Sequence, residues 1–235
     1  MGTSRGEDSF VNLPPFAAKL YDSMMQSSAT KMQYREIARE LASRIKRGRL
    51  LDIGTGPGHL LREIHRLNPE IELYGLDISN SMVEQAGRNL ADIKADLQRG
   101  NIRATNYKND WFDLATCSGS FYLWDRPIDG LDEIHRILKP GGAAYLYETH
   151  RDINRQELRQ KMRENLKGDN LIRKVLAPRF FIKQIGMTYT KREIAEIIGK
   201  TSFADSYEIE EITIFNLPVW VRIKLKKCTQ HRMAS

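Results

Sequence analysis

The sequence predicts an α/β protein with a doubly wound, mostly parallel sheet of seven strands. Three observations support this prediction. Apolar runs alternate with amphipathic stretches, and a glycine-rich turn follows the first apolar run. In the last apolar run, apolar and polar side chains alternate with a period of two residues. Alternating strands and helices with short connections form a parallel sheet covered on both faces. We expect N-terminal helices, a helical insertion and a C-terminal antiparallel hairpin around that sheet. A length of 235 residues suits one large domain with an elaboration.

The N-terminal part, residues 1–48, is predicted to be a helical cap. Pro14 and Pro15 suit a helix start, and Gly48 suits a helix end. Between them, apolar residues recur at spacings of three and four, which is one face of a helix: Tyr34, Ile37, Ala38, Leu41 and Ile45. We therefore predict helix over residues 13–47.

The core is predicted to span residues 49–150. Its short apolar runs predict strands at 49–53, 71–76, 94–98, 112–117 and 142–147. Its amphipathic stretches predict helices at 58–67, 79–90 and 131–138. After an insertion at 151–187, residues 188–228 are predicted to form a helix and a hairpin that complete the sheet, followed by a tail at 229–235. In residues 219–225 apolar and polar side chains alternate, which is the period of a strand.

The charge of the chain is concentrated in one segment. The whole sequence has 37 Lys+Arg and 30 Asp+Glu, a formal net charge of +7. Residues 151–192 alone hold twelve basic and four acidic residues. A local positive field can attract an anionic substrate or a nucleic acid, whereas an exposed helix face explains many charge runs. We predict that residues 151–187 form a substrate lid, with the solvated helix face as the alternative.

Composition excludes several classes of protein. With only Cys117 and Cys228, a disulfide framework is excluded, and a metal site is not indicated. No apolar run reaches the roughly 18 residues that a membrane helix needs, and the polar start lacks the apolar stretch of a secretory signal. We expect a cytoplasmic protein without a membrane span. The sequence does not indicate an oligomeric state.

The strongest functional signal is the turn Gly54–Gly58, which holds three glycines in five positions between a strand and a helix. Glycines let a ligand lie against bare backbone, and free N–H groups at a helix start favour an anionic group. Asp77, at the end of the next strand, can accept hydrogen bonds from both hydroxyls of a ribose. The alternatives are a ligand-free turn and an Asp77 that caps the following helix. Ligands of open parallel sheets bind at this edge, which favours the binding site.

The spacing of the glycines limits which class of ligand the turn could bind. Gly54-x-Gly56-x-Gly58 is not the G-x-G-x-x-G dinucleotide fingerprint, because His59 stands where the third glycine would be. No Gly-Lys-Ser/Thr follows, which excludes a P-loop. Nucleotide phosphates are therefore poorly provided for. A nucleoside whose tail is an amino acid suits this loop better.

The ordered motifs of this core resemble those of class I S-adenosylmethionine-dependent methyltransferases. Residues 51–58 and 74–79 are similar to the first and second strand motifs of that family, residues 112–118 to the fourth, and residues 131–142 to the helix and turn before strand five. Residues 16–22 resemble the lead-in helix of the branch that methylates small molecules. The resemblance implies a Rossmann-like core, S-adenosylmethionine as cofactor and methyl transfer by direct displacement to a small molecule, which we expect to be anionic.

The resemblance also implies site residues. The cofactor would contact Tyr21, Asp52, Gly54, Thr55, Gly56, Gly58, Asp77, Ile78, Met82, Asn101, Ile102 and Ser118. Asn101 replaces the acid that the family often has beside the adenine amino group, and an amide oxygen can still accept that hydrogen bond. A substrate pocket would be lined by Phe121, Tyr122 and Trp124, with Arg155 and Arg159 on the lid; core packing is the alternative for the aromatic residues.

His150 follows strand five, as does Glu148, and is the candidate general base. The competing interpretation is a surface histidine beside Arg151. Two other classes of function stay open. The basic insertion would also suit an RNA or protein methyltransferase. Against an RNA methyltransferase, the sequence indicates no separate RNA-binding module. It also lacks, after strand four, the Pro-Pro-aromatic motif of many amine methyltransferases. A non-catalytic protein that binds the nucleoside is the second alternative.

Overall fold

A computed structural model describes residues 13–26, 28–165, 181–214 and 217–229. The described helices are α1 Pro15–Met25, α2 Ser28–Arg44, α3 His59–Leu67, α4 Asn80–Asn89, α5 Pro127–Ile137, α6 Arg155–Asn165 and α7 Lys191–Ile198. The strands are β1 Gly48–Ile53, β2 Ile71–Asp77, β3 Ala95–Arg99, β4 Phe112–Ser118, β5 Leu138–Thr149, β6 Tyr207–Ile214 and β7 Leu217–Lys226. A short 3₁₀ helix, Phe121–Leu123, follows β4. None of the described helices is long and apolar enough to cross a bilayer.

The seven strands form one sheet in the order β3-β2-β1-β4-β5-β7-β6, which confirms the predicted fold class. Strands β1 to β5 run parallel, and β7 pairs antiparallel with both β5 and β6. The strand order changes direction at β1, because β2 and β3 lie on one side of it and β4 lies on the other. The carboxyl ends of β1, β2, β4 and β5 share one edge, and that edge holds the candidate site.

The sheet is covered on both faces, as its apolar strands require. One hydrophobic cluster joins Leu51 and Ile134 to the residues around α5 and α7. The other joins Leu50 and Ile64 to the residues around α2 and α3. Neighbouring residues of β1 thus belong to opposite faces, which is the two-residue period of a strand.

The N-terminal cap differs from its prediction in one respect. Instead of a single helix over residues 13–47, the chain forms α1 and α2, which end and begin on either side of residue 27. The periodic apolar face is confirmed for α2, where Ile37, Ala38 and Leu41 are buried against α3. The separate α1 packs against α4 instead. The break lets the cap cover two neighbouring helices.

Strand β5 is longer than the predicted 142–147 because it includes the turn that the glycines indicated. It pairs with β4 from Leu138, and the register shifts between Phe112 and Leu114. Gly141 has a φ of +83°, a left-handed conformation that glycine adopts without strain. Such an irregularity adds residues to a strand without ending it.

The insertion is described only in part, because residues 166–180 lie outside the described ranges. Helix α6 buries Leu158 and Met162 in the same cluster as Trp220. Residues 181–185 are helical and contribute the buried Ile185. Helix α7 begins at a capping box in which Thr190 and Glu193 satisfy each other's backbone N–H groups. The described part of the insertion therefore packs onto the core.

Candidate functional site

The glycine turn after β1 is fixed to the neighbouring strand. The amides of Gly54 and Thr55 both donate to the carbonyl of Leu76, at 2.8 and 3.1 Å. Gly56 has a φ of +53°, and a Cβ added there would meet no atom within 4 Å. The turn therefore presents bare backbone to an open space at the edge of the sheet, and Gly58, at φ +82°, leads into α3.

Asp77 stands at the end of β2 and faces this turn. Its Oδ2 accepts a hydrogen bond from the Gly56 amide at 2.8 Å, and its Oδ1 accepts one from the Ser79 amide at 2.9 Å. Burial raises the pKa of Asp77, and the backbone hydrogen bonds oppose that shift. Asp77 thus both fixes the turn and caps the start of α4. The capping interpretation and the binding interpretation are compatible, because each oxygen has further lone pairs.

Asp52 lies next to the turn and is almost fully buried, at 2% exposure. Burial raises the pKa of Asp52 to about 7, the Thr55 hydroxyl opposes this, and the charge of Asp77 adds to it. Two carboxyl groups thus share a water-poor region. A positively charged ligand would relieve their repulsion.

Helices α1 and α2 close the site from above. Burial and the charge of Asp77 raise the pKa of Tyr21 to about 12, so the phenol on α1 stays neutral. Tyr34 on α2 is half-buried, and desolvation together with Tyr21, Asp52 and Asp22 raises its pKa. Tyr34 was not recognised as a site residue from the sequence, because its helical spacing indicated a core residue.

Asp22 fastens α1 to the core through side chains that the sequence did not connect. Its carboxylate lies 2.6 Å from His59 Nε2 at the start of α3, and it accepts from Gln85 at 3.2 Å and Asn89 at 2.9 Å on α4. Asn89 also donates to the carbonyl of Pro57 in the glycine turn. The cap and the turn are therefore held by one hydrogen-bonded network.

The residues expected beside the adenine lie at the ends of β2 and β3. Ile78 is half-buried, and Met82 is buried on α4. Asn101 forms an isolated antiparallel bridge with Ala104 and accepts from the amide of Arg103. Ile102 is buried in the cluster that contains Trp124. Their cofactor roles stay predictions.

Beyond β4 the aromatic residues divide into packing and lining positions. Phe121 is fully buried, with its ring centroid 5.1 Å from that of Trp124, so both contribute to the core. The pKa of Tyr122 is raised by burial and by Glu148 and Tyr21, and its side chain forms a hydrogen bond with Gln184, near the end of the insertion. The Ser118 hydroxyl is buried without a hydrogen-bond partner among the described residues. Gln184 was missed because nothing in its local sequence places it at the cleft.

His150 is buried, at 2% exposure, so the interpretation as a surface histidine is wrong. Its amide donates to the carbonyl of Val219 on β7, and the ring nitrogens have no hydrogen-bond partner among the described residues. Burial and Lys191 lower its pKa, which Glu211 and Asp152 oppose. These neighbours belong to the β6–α7 side, away from Asp77. The role as a base stays a prediction.

The basic lid residues contribute little to the described cleft. Arg159 is exposed on α6, and the Arg155 side chain lies outside the described part of the chain. Arg151 pairs with Glu193 at 2.5 Å and Lys161 with Glu157 at 3.4 Å. Across the described ranges, no group of three or more His, Cys, Asp or Glu residues could hold a metal ion.

Comparison with known proteins shows what part of this chain is similar to. Residues 50–142 match the family described as a methyltransferase domain. An uncharacterised methyltransferase of Bacillus subtilis, YdaC, is 26% identical over 105 residues, which are 45% of this chain and 58% of the relative. The ubiquinone/menaquinone C-methyltransferase UbiE of Geobacter sulfurreducens is 35% identical over 108 residues, 43% of this chain and 41% of the relative. The chain thus spans about half the length of the curated relatives that it matches.

Solved structures of methyltransferases have the same fold as this chain. A putative S-adenosyl-L-methionine-dependent methyltransferase from Methanococcus maripaludis superposes with a TM-score of 0.67 at 23% identity, covering 93% of this chain and 95% of that one. The plantazolicin methyltransferase BamL, solved with a substrate analogue and S-adenosylhomocysteine (SAH), superposes with a TM-score of 0.69 at 15% identity and covers 95% of both chains. Residues 50–142 therefore match a methyltransferase domain, and the chain shares its fold with solved S-adenosylmethionine-dependent methyltransferases.

Proposed function

We propose that the protein is an enzyme that binds S-adenosylmethionine (SAM) and transfers its methyl group to a small molecule. The observation that carries the proposal is the pairing of open backbone at Gly56 with the carboxylate of Asp77, which that same backbone fixes in place. When bound, SAM would supply a methyl group on a positively charged sulfur. UbiE and BamL, by their names, are methyltransferases of quinone and plantazolicin biosynthesis.

The residues present fit such a ligand. Asp77 would accept hydrogen bonds from the ribose hydroxyls, and bare backbone at Gly56 would leave room for the methionine part. The buried hydroxyl of Ser118 lacks a partner within the described chain and could bind the amino acid end. Asp52 adds negative charge where a cationic ligand would lie. For the transfer itself, the protein's contribution would be alignment of the acceptor with the methyl group.

Calorimetry with SAM tests the site. We expect binding by the wild-type protein and a loss of about 100-fold or more in affinity for Asp77→Asn, since the amide would lose charge-assisted hydrogen bonds. Asp96→Asn, on exposed β3, is the matched control and should bind like the wild type. Unchanged affinity in Asp77→Asn would remove the basis of the proposal. SAM with a tritium-labelled methyl group, incubated with the protein and fractions of a cell extract, would then show whether the acceptor is a small molecule, an RNA or a protein. SAM binding without any transfer of the label would indicate a non-catalytic protein.

We further propose that the small molecule carries an anionic group, on the basis of the basic insertion with Arg155 and Arg159. A positive surface raises the local concentration of an anion, and salt screens that attraction. The Michaelis constant for the acceptor should therefore increase between 0.05 and 0.5 M salt (about one order of magnitude in ionic strength). The affinity for SAM is the internal reference. A Michaelis constant that is independent of salt would contradict an anionic acceptor. A cytoplasmic location belongs to the same proposal, because the cysteine content suits a reducing compartment.

A further inference from the structure

We propose, on the basis of the proposed function, that Glu148 is the catalytic residue that takes the proton released by the methyl acceptor. This assigns the methyl acceptor to a chemical class. Its nucleophile would carry a proton into the site, as a hydroxyl or a neutral amine does. The argument rests on the position of Glu148, on one unpartnered oxygen and on the space beside it.

Glu148 lies at the same sheet edge as the glycine turn. It follows Tyr147, which pairs with Ser118 at the end of β4. Strand β4 separates β5 from β1, and Asp52 is in register with Thr116 and Tyr145, so Glu148 lies three residues farther toward the carboxyl ends of the strands than Asp52. The buried Cys117 lies between them, and the charges of both Glu148 and Asp52 influence it. A ligand seated against Gly56 would extend toward Glu148.

One oxygen of the Glu148 carboxyl group is held and the other is free to act. Oε2 accepts a hydrogen bond from the Tyr122 amide at 2.9 Å, which fixes the orientation of the group. Oε1 is buried and has no hydrogen-bond partner among the residues that the structure describes. Buried polar atoms are nearly always paired, so an unpaired carboxyl oxygen indicates a site for a ligand.

The space beside that oxygen is open. Gly119 has a φ of +73°, and a Cβ added there would lie 3.9 Å from Glu148 Oε1 and meet no other atom within 4 Å. Gly119 therefore leaves a gap, about the size of a methyl group or larger, with the free oxygen at its wall. Two glycines at this edge face open space: Gly56, in the turn after β1, and Gly119, directly after β4.

The surroundings of Glu148 suit an acid–base group. Burial raises the pKa of Glu148 to about 8, and backbone groups of Tyr122 and Gly119 oppose this shift. The titratable groups that face it are the Cys117 thiol and the Tyr122 phenol, whose pKa values burial and Glu148 also raise. Both neighbours are neutral at pH 7, so Glu148 is the group that can exchange a proton there. A base is most effective when its pKa lies near the working pH.

The proposed step balances. A lone pair of the acceptor atom forms the bond to the methyl carbon, the carbon–sulfur bond breaks, and its electron pair stays on sulfur. The proton of the acceptor atom passes to Oε1 of the Glu148 carboxylate. The products are the methylated acceptor, SAH and a neutral Glu148, which gives its proton to solvent when the next SAM binds.

Proton counting by calorimetry tests whether Glu148 lies beside the reacting sulfur, without any acceptor. SAM and SAH differ by the charge on that sulfur, and a nearby positive charge favours the carboxylate. At pH 7.5, in buffers of different ionisation enthalpy, we expect SAM to release more protons than SAH, by up to about one proton. In Glu148→Gln most of the difference should disappear, which leaves the smaller part that Asp52, with its pKa raised to about 7, contributes. A difference that persists unchanged in Glu148→Gln would overturn the proposal.

Transfer rates complete the test once the labelled assay has supplied an acceptor fraction. We expect Glu148→Gln to retain SAM affinity within about twofold and to lose about 100-fold or more in turnover, as for other general bases. Glu72→Gln, exposed near the opposite edge of the sheet, should transfer at the wild-type rate. Wild-type turnover in Glu148→Gln would reject the role. A wild-type protein that neither binds SAM nor transfers methyl groups would instead reject the proposed function.

Discussion

The two halves of the sheet edge satisfy their polar groups in different ways. At β1 and β2, main-chain amides of Gly56 and Ser79 bind the carboxylate of Asp77, and all of these residues lie within one short stretch of chain. At β4 and β5, Glu148 is bound on one oxygen only, and its neighbourhood includes Tyr122 and, through that residue, Gln184. The first half, Gly54–Gly58 with Asp77, has its hydrogen bonds already made within the protein, and we call it the cradle. In the second half, the Oε1 atom of Glu148 has no hydrogen-bond partner among the described residues, and we propose that the methyl acceptor binds there.

This contrast explains which parts of the site could be predicted. Glycines and an acid at the ends of adjacent strands form a local pattern, so the cradle of Gly54–Gly58 and Asp77 was recognised from the sequence. At β4 and β5, the pKa values of the side chains depend on how deeply they are buried, and the sequence does not show how deeply a given side chain is buried. His150 was favoured as the base over Glu148 because the usual pKa of histidine lies near 7, whereas the pKa of Glu148 depends on its burial.

The fold was more predictable than the site, since hydrophobic periodicity reports strands and helices directly. The departures have local causes. Helix α1 separates from α2 because Asp22 bonds to His59, Gln85 and Asn89, contacts that span 37 to 67 residues. Strand β5 extends through Gly141 because a left-handed glycine permits an irregular strand. Neither long-range hydrogen bonds nor a bulge leaves a periodic signal.

The largest expected effect compares Glu148 with a glutamate whose hydrogen bonds are complete. Glu133 is also partly buried, which would raise its pKa, but hydrogen bonds from Arg136 and Thr105 outweigh burial and lower it. For Glu148 the folded-state pKa is raised to about 8. The folded protein therefore holds a proton that the unfolded chain releases near its ordinary pKa, and stability falls as pH rises between these values.

Urea denaturation of the ligand-free protein at several pH values measures this difference. Relative to wild type, Glu148→Gln should gain about 1.4 kcal/mol per pH unit between roughly pH 5 and 8, and should match wild type below that window. Glu133→Gln should show the opposite trend. The variant should be less stable than wild type by a constant amount above the pKa of the unfolded state. This loss of stability should disappear as the pH falls through the lowered pKa of the folded state. Parallel pH curves for Glu148→Gln and wild type would show that the carboxyl group is not a proton-holding group.

A smaller effect is expected from the backbone of the cradle. Gly54 has a φ of +70°, and a Cβ there would overlap the side chain of Ser120. Gly54→Ala should therefore cost about 1–3 kcal/mol of stability, from left-handed strain and the displacement of Ser120. Gly87 is the matched control, because it lies inside α4, is exposed, and a Cβ there would meet no atom within 4 Å. Gly87→Ala should gain up to about 1 kcal/mol, since alanine is the better helix former.

These two alanine variants also test the division of the edge into a fixed and an adaptable half. If the cradle is preorganised by its backbone, Gly54→Ala should weaken SAM binding by calorimetry, whereas the proton released on binding per molecule stays unchanged, because Glu148 lies on the other side of β4. Gly87→Ala should bind SAM like the wild type. Loss of proton release in Gly54→Ala at saturating SAM would show that the two halves act as one unit, and that the orientation of Glu148 depends on the glycine turn through Ser120.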